Sequence, residues 1–227
     1  MKKWEKLPPE FQNEAVRPYY EALSHKTGSL VLKRISDIIA ALILIVICIP
    51  FMLIIAIWIK CDSRGRVLFL QKRVTKYGRE FRILKFRTMV SDAEKKGTQV
   101  TVSNDSRVTG AGRFLRKCRL DELPQLFNVL KGDMTFVGTR PEVPKYVAGY
   151  TDEMYATLLM PAGITSLASI KFKDEEKLLS GAEDTDEVYL HTVLPQKMKY
   201  NLEYISRFNF FYDIKLMFMT VFAVAKD

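Results

Sequence analysis

Histidine is scarce in this chain. His25 and His191 are the only two in 227 residues, which argues against a zinc-dependent hydrolase built on imidazole ligands. Cysteine is almost as sparse: Cys48, Cys61 and Cys118 are odd in number and have no CxxC spacing. That pattern argues against a disulfide framework and a structural zinc site, and for three reduced thiols. No Walker A sequence occurs, and Gly110-Ala111-Gly112 fails as a dinucleotide fingerprint because Leu115 stands where the third glycine belongs. The first 30 residues hold no long apolar run, so Met1-Lys2-Lys3 is not expected to open a secretory signal. The chain therefore reads as facing the cytosol.

One long absence of charge is the main positive feature. From Ile38 to Ile59, 22 residues pass without a charged side chain, about the number a helix needs to cross the roughly 30 Å hydrocarbon core. Three features favour a helix that enters and returns over a straight span. Lys33 and Arg34 precede the run and Lys60, Arg64 and Arg66 follow it, so the preference of basic residues for the cytoplasmic face pulls both ends to one side. Asp37 adjoins the run where a negative charge suits a helix N-terminus. Pro50, near the middle, removes a backbone donor and is expected to kink the helix. A straight span and a buried core helix remain the alternatives.

Charge is unevenly distributed within the net +9. Residues 61–150 carry a balance of +10 and residues 151–227 a balance of −4. A basic block just after a membrane segment suits anionic membrane lipids or a phosphate-bearing ligand held by arginine forks. No nucleic acid partner is expected, since no nucleic-acid module is recognisable.

The expected fold is α+β and mainly helical. An N-terminal arm (1–30) precedes the re-entrant membrane helix kinked at a proline (31–60) and a cytoplasmic catalytic domain (61–227) ending in a membrane-associated helix. Val67–Gln71 and Glu80–Phe86 read as a small β-hairpin around Tyr77-Gly78, with Lys85 and Arg87 on one face by the two-residue period. Short helices are expected at Asp92–Lys96 and Gly110–Lys117, a longer one from Asp121 to Lys131 closing at Gly132, and a proline-stiffened loop at Gly138–Pro144. Asp174–Glu187, with seven acidic residues, reads as a solvated helix and loop. The uncharged stretch Leu216–Ala225 is too short to span a bilayer. Behind the aromatic bunch Phe208 to Tyr212, it reads either as an interfacial amphipathic helix or as a core helix.

Arg119-Leu120-Asp121-Glu122-Leu123-Pro124-Gln125 is the stretch most suited to chemistry. Asp121 can simply be a helix N-cap, with Glu122 favoured in the first turn. The alternative is that two adjacent carboxylates, pointing about 100° apart on a helix, take different tasks: one attacks phosphorus while the other holds a metal. Nearby positive charge would keep Asp121 ionised.

Several motifs occur in order: Lys33-Arg34-x-x-Asp37 before the Pro50-broken run, Gln71-x-Arg73, Lys85-Phe86-Arg87-Thr88-Met89, Arg119-x-Asp121-Glu122-Leu123-Pro124-Gln125, Gly138-Thr139-Arg140-Pro141 and Tyr212-Asp213. Together they resemble the bacterial sugar transferases, the monotopic polyprenyl-phosphate phosphoglycosyl transferases, over roughly residues 31–226. The resemblance implies a monotopic enzyme on the cytoplasmic face of a bacterial inner membrane, passing a phosphosugar from a UDP-sugar to undecaprenyl phosphate at the start of a surface or exported glycan. It implies Asp121 as nucleophile, Glu122 as the Mg²⁺ ligand, and Lys85, Arg87, Arg119, Arg140 and Pro141 as substrate-binding residues. Asp213 matches a family aspartate near the site and is grouped with the substrate-binding residues, its own role there structural or metal-linked.

Some positions depart from the family pattern. Thr139 stands where proline is common, Ser166 where glycine is usual, and Ile49 where serine often precedes the helix-breaking proline, which could satisfy a freed carbonyl. The sugar, the pathway, the role of residues 1–30 and a homodimer are left open. Two other readings stay in play: a glycosyl transferase releasing UDP, and a catalytically silent membrane adaptor.

Overall fold

The computed structural model describes residues 1–91, 93, 105–172, 178–179 and 184–226. The expectations for Asp92–Lys96 and for most of Asp174–Glu187 fall outside the described residues. The elements are α1 (Arg17–Ser24), α2 (Thr27–Asp62), β1 (Leu68–Val74), β2 (Glu80–Phe86), α3 (Gly110–Lys117), α4 (Gln125–Lys131), β3 (Met134–Val137), α5 (Pro144–Val147), β4 (Ala162–Thr165), α6 (Leu167–Lys171), α7 (Thr185–Val188), α8 (Leu194–Arg207) and α9 (Phe210–Lys226). The fold is α+β and mainly helical, with two small sheets. β1 and β2 form an antiparallel hairpin in the register Leu68↔Phe86 to Val74↔Glu80, and β3 pairs with β4 in parallel. The hairpin turns through Tyr77 and Gly78, both at positive φ. β1 runs to Val74, past the expected end at Gln71.

α2 carries the organisation of the molecule. It is continuous through Pro50 and begins at Thr27, ahead of the expected boundary at 31. Its buried residues Lys33, Asp37, Ala41, Ile45, Met52, Ile55 and Ile59 recur at three-, four- and seven-residue intervals, so one stripe faces the domain along the helix. Ala41 joins Phe81, Ile83, Val129, Met134 and Ala162. Met52, Ile55 and Ile59 join Phe86 and Leu115. The opposite face exposes a run of Ile, Leu, Val and Phe from Val31 to Ile57. An apolar surface of that extent is not one a water-soluble monomer keeps, and the protein is membrane-associated.

The N-terminal residues pack into the main core. Leu7, Phe11, Val16 and Leu23 are buried with Leu158, Leu159, Tyr204 and Phe208. α9 has a buried and an exposed side: Leu216 is fully buried, while Phe211, Phe218, Val221 and Phe222 form an exposed apolar face.

Candidate active site

A cleft of about 1900 Å³ opens between the hairpin, the turn after α3 and the loop before α5. That exceeds the roughly 300–1,000 Å³ of a single small-ligand pocket. Asp121 and Glu122 sit on its floor in a 3₁₀ turn, Leu120–Glu122, rather than in the expected long helix. The helix starts only at Gln125, after Pro124. Asp121 caps neither element, since the N-cap positions are Arg119 and Pro124. The turn is set by Arg119, whose φ of 57° is left-handed, a conformation uncommon for a residue with a Cβ. Gly112 allows α3 to lie against the hairpin's exit: a Cβ there would collide with the backbone of Thr88.

Two cations converge on one carboxylate oxygen. Lys85 Nζ donates to Glu122 Oε1 at 2.9 Å and Arg140 Nη2 to the same oxygen at 2.7 Å. Burial works against the charge of Glu122, yet Arg140 and then Lys85 overcome it and hold the carboxyl far below the usual range. Asp121 behaves in the opposite way. Burial, joined by the neighbouring Glu122, pushes its pKa above the usual value despite Lys85, Arg116 and Arg140. At this buried carboxyl, desolvation outweighs the neighbouring cations in the direction of the shift. The exposed Arg119 lines the same cleft.

The loop bearing Arg140 is anchored from three directions. Val74 N–H donates to the carbonyl of Glu142 at 2.9 Å, Arg73 Nη1 to the carbonyl of Pro141 at 3.0 Å, and the Tyr189 hydroxyl to Glu142 Oε1 at 2.7 Å. Lys197 donates to the Tyr189 oxygen at 2.9 Å. Glu142, Tyr189 and Lys197 went unread in the sequence because no short spacing links them. The only local signal was Gln71-x-Arg73, whose glutamine oxygen accepts from Arg73 Nε at 2.9 Å.

Residues 28–227 match the family model described as bacterial sugar transferase. The chain belongs to the bacterial sugar transferase family. It is 40% identical over 194 residues to the UDP-N-acetylgalactosamine-undecaprenyl-phosphate N-acetylgalactosaminephosphotransferase of Aeromonas hydrophila, covering 84% of this chain and 43% of that protein. To the UDP-glucose:undecaprenyl-phosphate glucose-1-phosphate transferase of Escherichia coli it is 36% identical over 218 residues, 94% of this chain and 44% of that one. An enzyme of the same name from Caulobacter vibrioides is 35% identical over 192 residues, 83% of this chain and 68% of its own length. The chain thus spans less than half of the first two relatives.

Seen on this bacterial sugar transferase, the other motif residues divide. Arg87 does not join Lys85 at Glu122. Its guanidinium closes the C-terminal end of α2, donating to the carbonyl of Ser63 at 2.8 Å, to Ser63 Oγ at 3.0 Å and to the carbonyl of Arg64. The two-residue period ends with β2 at Phe86, so sharing a strand face does not carry Arg87 to the same target. Gly65 leaves the room it needs, since a Cβ there would strike the guanidinium. Asp213 also lies apart from the dyad, buried in an ion pair with Lys33 and accepting from the Tyr204 hydroxyl at 2.8 Å. Lys33 also donates to the carbonyl of Val137 at 2.7 Å.

Arg34 donates to the carbonyls of Val129 and Leu130 at 2.6 and 2.9 Å, capping α4. Asp37 accepts from the Thr135 hydroxyl at 2.5 Å and from the Phe136 N–H at 3.3 Å. Lys33 and Asp37 are therefore buried against the domain rather than flanking the membrane run. The helix already has two turns behind them, so Asp37 is not at an N-terminus. Among the described residues no group of three or more His, Cys, Asp or Glu could hold a metal. A Mg²⁺ site completed by substrate fits the dyad better, because this ion is usually held by one or two carboxylates plus substrate phosphates. Both cations described at Glu122 fall on Oε1.

Proposed function

We propose that this protein transfers a phosphosugar from a UDP-sugar to undecaprenyl phosphate through an aspartyl-phosphosugar intermediate, with release of UMP. The observation that carries the reading is the dyad in which Glu122 is fixed by Lys85 and Arg140 and leaves the buried Asp121 carboxylate beside it in the cleft. The named activities of the relatives support it. A carboxylate oxygen of Asp121 attacks the sugar-bearing phosphorus, the bond from that phosphorus to the bridging oxygen breaks, and UMP carries that electron pair away. An oxygen of the lipid phosphate then attacks the same phosphorus and expels Asp121 as a free carboxylate. Arg140, Lys85 and the open Arg119 bind and orient the phosphate oxygens, on which negative charge is concentrated. Glu122, with the donor's diphosphate oxygens, would hold Mg²⁺, which when bound neutralises charge on the phosphates.

The enzyme is monotopic in this reading and lies on the cytoplasmic face of the inner membrane. Its support is that α2 packs on one domain from Lys33 to Ile59 and that Arg87 ties its far end to the same domain. A perpendicular span would draw that domain through the bilayer. Asp121→Asn tests the chemistry. UMP release from UDP-sugars is expected to fall about 10³-fold or more, and no phosphosugar should remain on the protein after denaturation. UDP as the released nucleotide, or full activity in the variant, would overturn the mechanism.

A further inference from the structure

α3 is short, but its sides are sharply divided. Ala111, Gly112 and Leu115 are buried, while Arg113, Phe114 and Lys117 are exposed on the opposite arc, at three- and four-residue spacings that place them side by side. Phe114 is 50% exposed and packs its ring 5.5 Å from that of Trp58, itself on the lipid-facing side of α2. The end of α2 is held close by the exposed Asp62, whose carboxylate accepts from the N–H of Ala111 at 3.3 Å. At the α2 exit that follows Trp58, Lys60, Arg64 and Arg66 are exposed, Arg66 at the rim of the cleft. The segment 63–64 is not free to drift, because Arg87 is bonded to both of its carbonyls.

We infer that Trp58, Phe114, Arg113, Lys117 and the basic exit of α2 form a docking surface for anionic phospholipid headgroups, which sets the depth of the Asp121 turn at the membrane. Three observations choose this occupant. The patch is continuous with the apolar face of α2, which already requires a lipid surface. It pairs two half-exposed aromatics with cations, the composition that settles at the headgroup level. Its charge is of one sign apart from Asp62, whose carboxylate is occupied by α3. Basic residues near an anionic leaflet each gain enough to enrich such lipids severalfold. α3 leads through Arg119 directly into the Leu120–Glu122 turn, so fixing α3 at the headgroups fixes the nucleophile at the level of a lipid phosphate. That consequence rests on the proposed function; the surface itself does not.

Trp58 provides the probe, since Trp4 is the only other tryptophan. The full chain carrying Trp4→Phe would be placed in phosphatidylcholine nanodiscs with a minority of phosphatidylglycerol, and one lipid at a time would be brominated to quench Trp58 fluorescence. Brominated phosphatidylglycerol is expected to quench about threefold or more above its share of the lipid, an excess that salt reduces. Adding Arg113→Gln and Lys117→Gln should lower the excess, with the circular dichroism unchanged. Quenching in proportion to mole fraction, or an excess indifferent to the two substitutions, would overturn the surface. The measurement needs no turnover, so its failure and that of the transferase reading are separate results.

Discussion

Two ion-pair clusters in this molecule, one buried and one half-buried, use similar residues to opposite ends. At Lys33 and Asp213 one cation meets one anion, and the remaining valences go to Tyr204 and the carbonyl of Val137. The cluster is buried, with Asp37 close enough to act on Asp213, and none of Lys33, Asp213 and Tyr204 lines the large cleft. At Glu122 two cations share a single carboxylate oxygen, and the assembly faces the cleft beside Asp121 and the open Arg119. Desolvating a balanced pair yields little net stability, but breaking it leaves an uncompensated charge. An unbalanced cluster next to an opening instead keeps a field available to an incoming anion. Identical chemistry thus reads as architecture in one place and as a phosphate site in the other.

The strongest way to break the comparison is one substitution at each cluster. Asp121→Asn should abolish turnover by about 10³-fold or more while leaving the denaturation midpoint nearly unmoved. Asp213→Ala should do the reverse. A loss of about 3–5 kcal/mol of stability is expected from stranding Lys33, measured by chemical denaturation in detergent. The double change Lys33→Met with Asp213→Leu should recover most of that loss, since it removes both charges together. An Asp213→Ala protein that kept its stability and lost turnover would move this residue into the site.

Arg140→Gln belongs between these extremes. Its guanidinium is one-third exposed, so little stability should be lost, but the rate should fall about 10- to 100-fold as the field over the phosphates weakens. The measurement is kcat/KM for the UDP-sugar, with the stability of the variant checked beside it.

The sequence made the membrane run, the hairpin and the Asp121-Glu122 dyad legible because each is local. Twenty-two uncharged residues, a Tyr-Gly turn and two adjacent carboxylates need no knowledge of what lies across the fold. What it hid is non-local. Lys33, Arg34 and Asp37 looked like flanking charges of a membrane helix because their partners Asp213, Val129, Leu130 and Thr135 lie about a hundred residues or more away. Glu142, Tyr189 and Lys197 were missed for the same reason. The long helix expected from Asp121 failed at Pro124, where the missing N–H favours a helix start over a helix interior. The burial that raises the pKa of Asp121 is equally non-local, since sequence shows neighbouring charge but not desolvation.

Arg87 is the residue on which the two clusters can be told apart most finely, and its expected effect is the smallest. The family resemblance gives it to substrate phosphate, whereas its described bonds give it to Ile59, Ser63 and Arg64 at the end of α2. A guanidinium donating to three carbonyls and to the hydroxyls of Ser63 and Ser91 is acting as a helix cap, satisfying oxygens that no further turn can reach. Arg87→Gln should therefore cost about 1.5 kcal/mol of stability and leave kcat/KM for the UDP-sugar within about threefold of the parent. Cysteine labelling at Cys61, exposed in the last turn of α2, should quicken in the variant as that turn frays. A protein with unchanged labelling and stability but a tenfold drop in kcat/KM would return Arg87 to the phosphates, and the cleft would then hold one more working cation than its contacts imply.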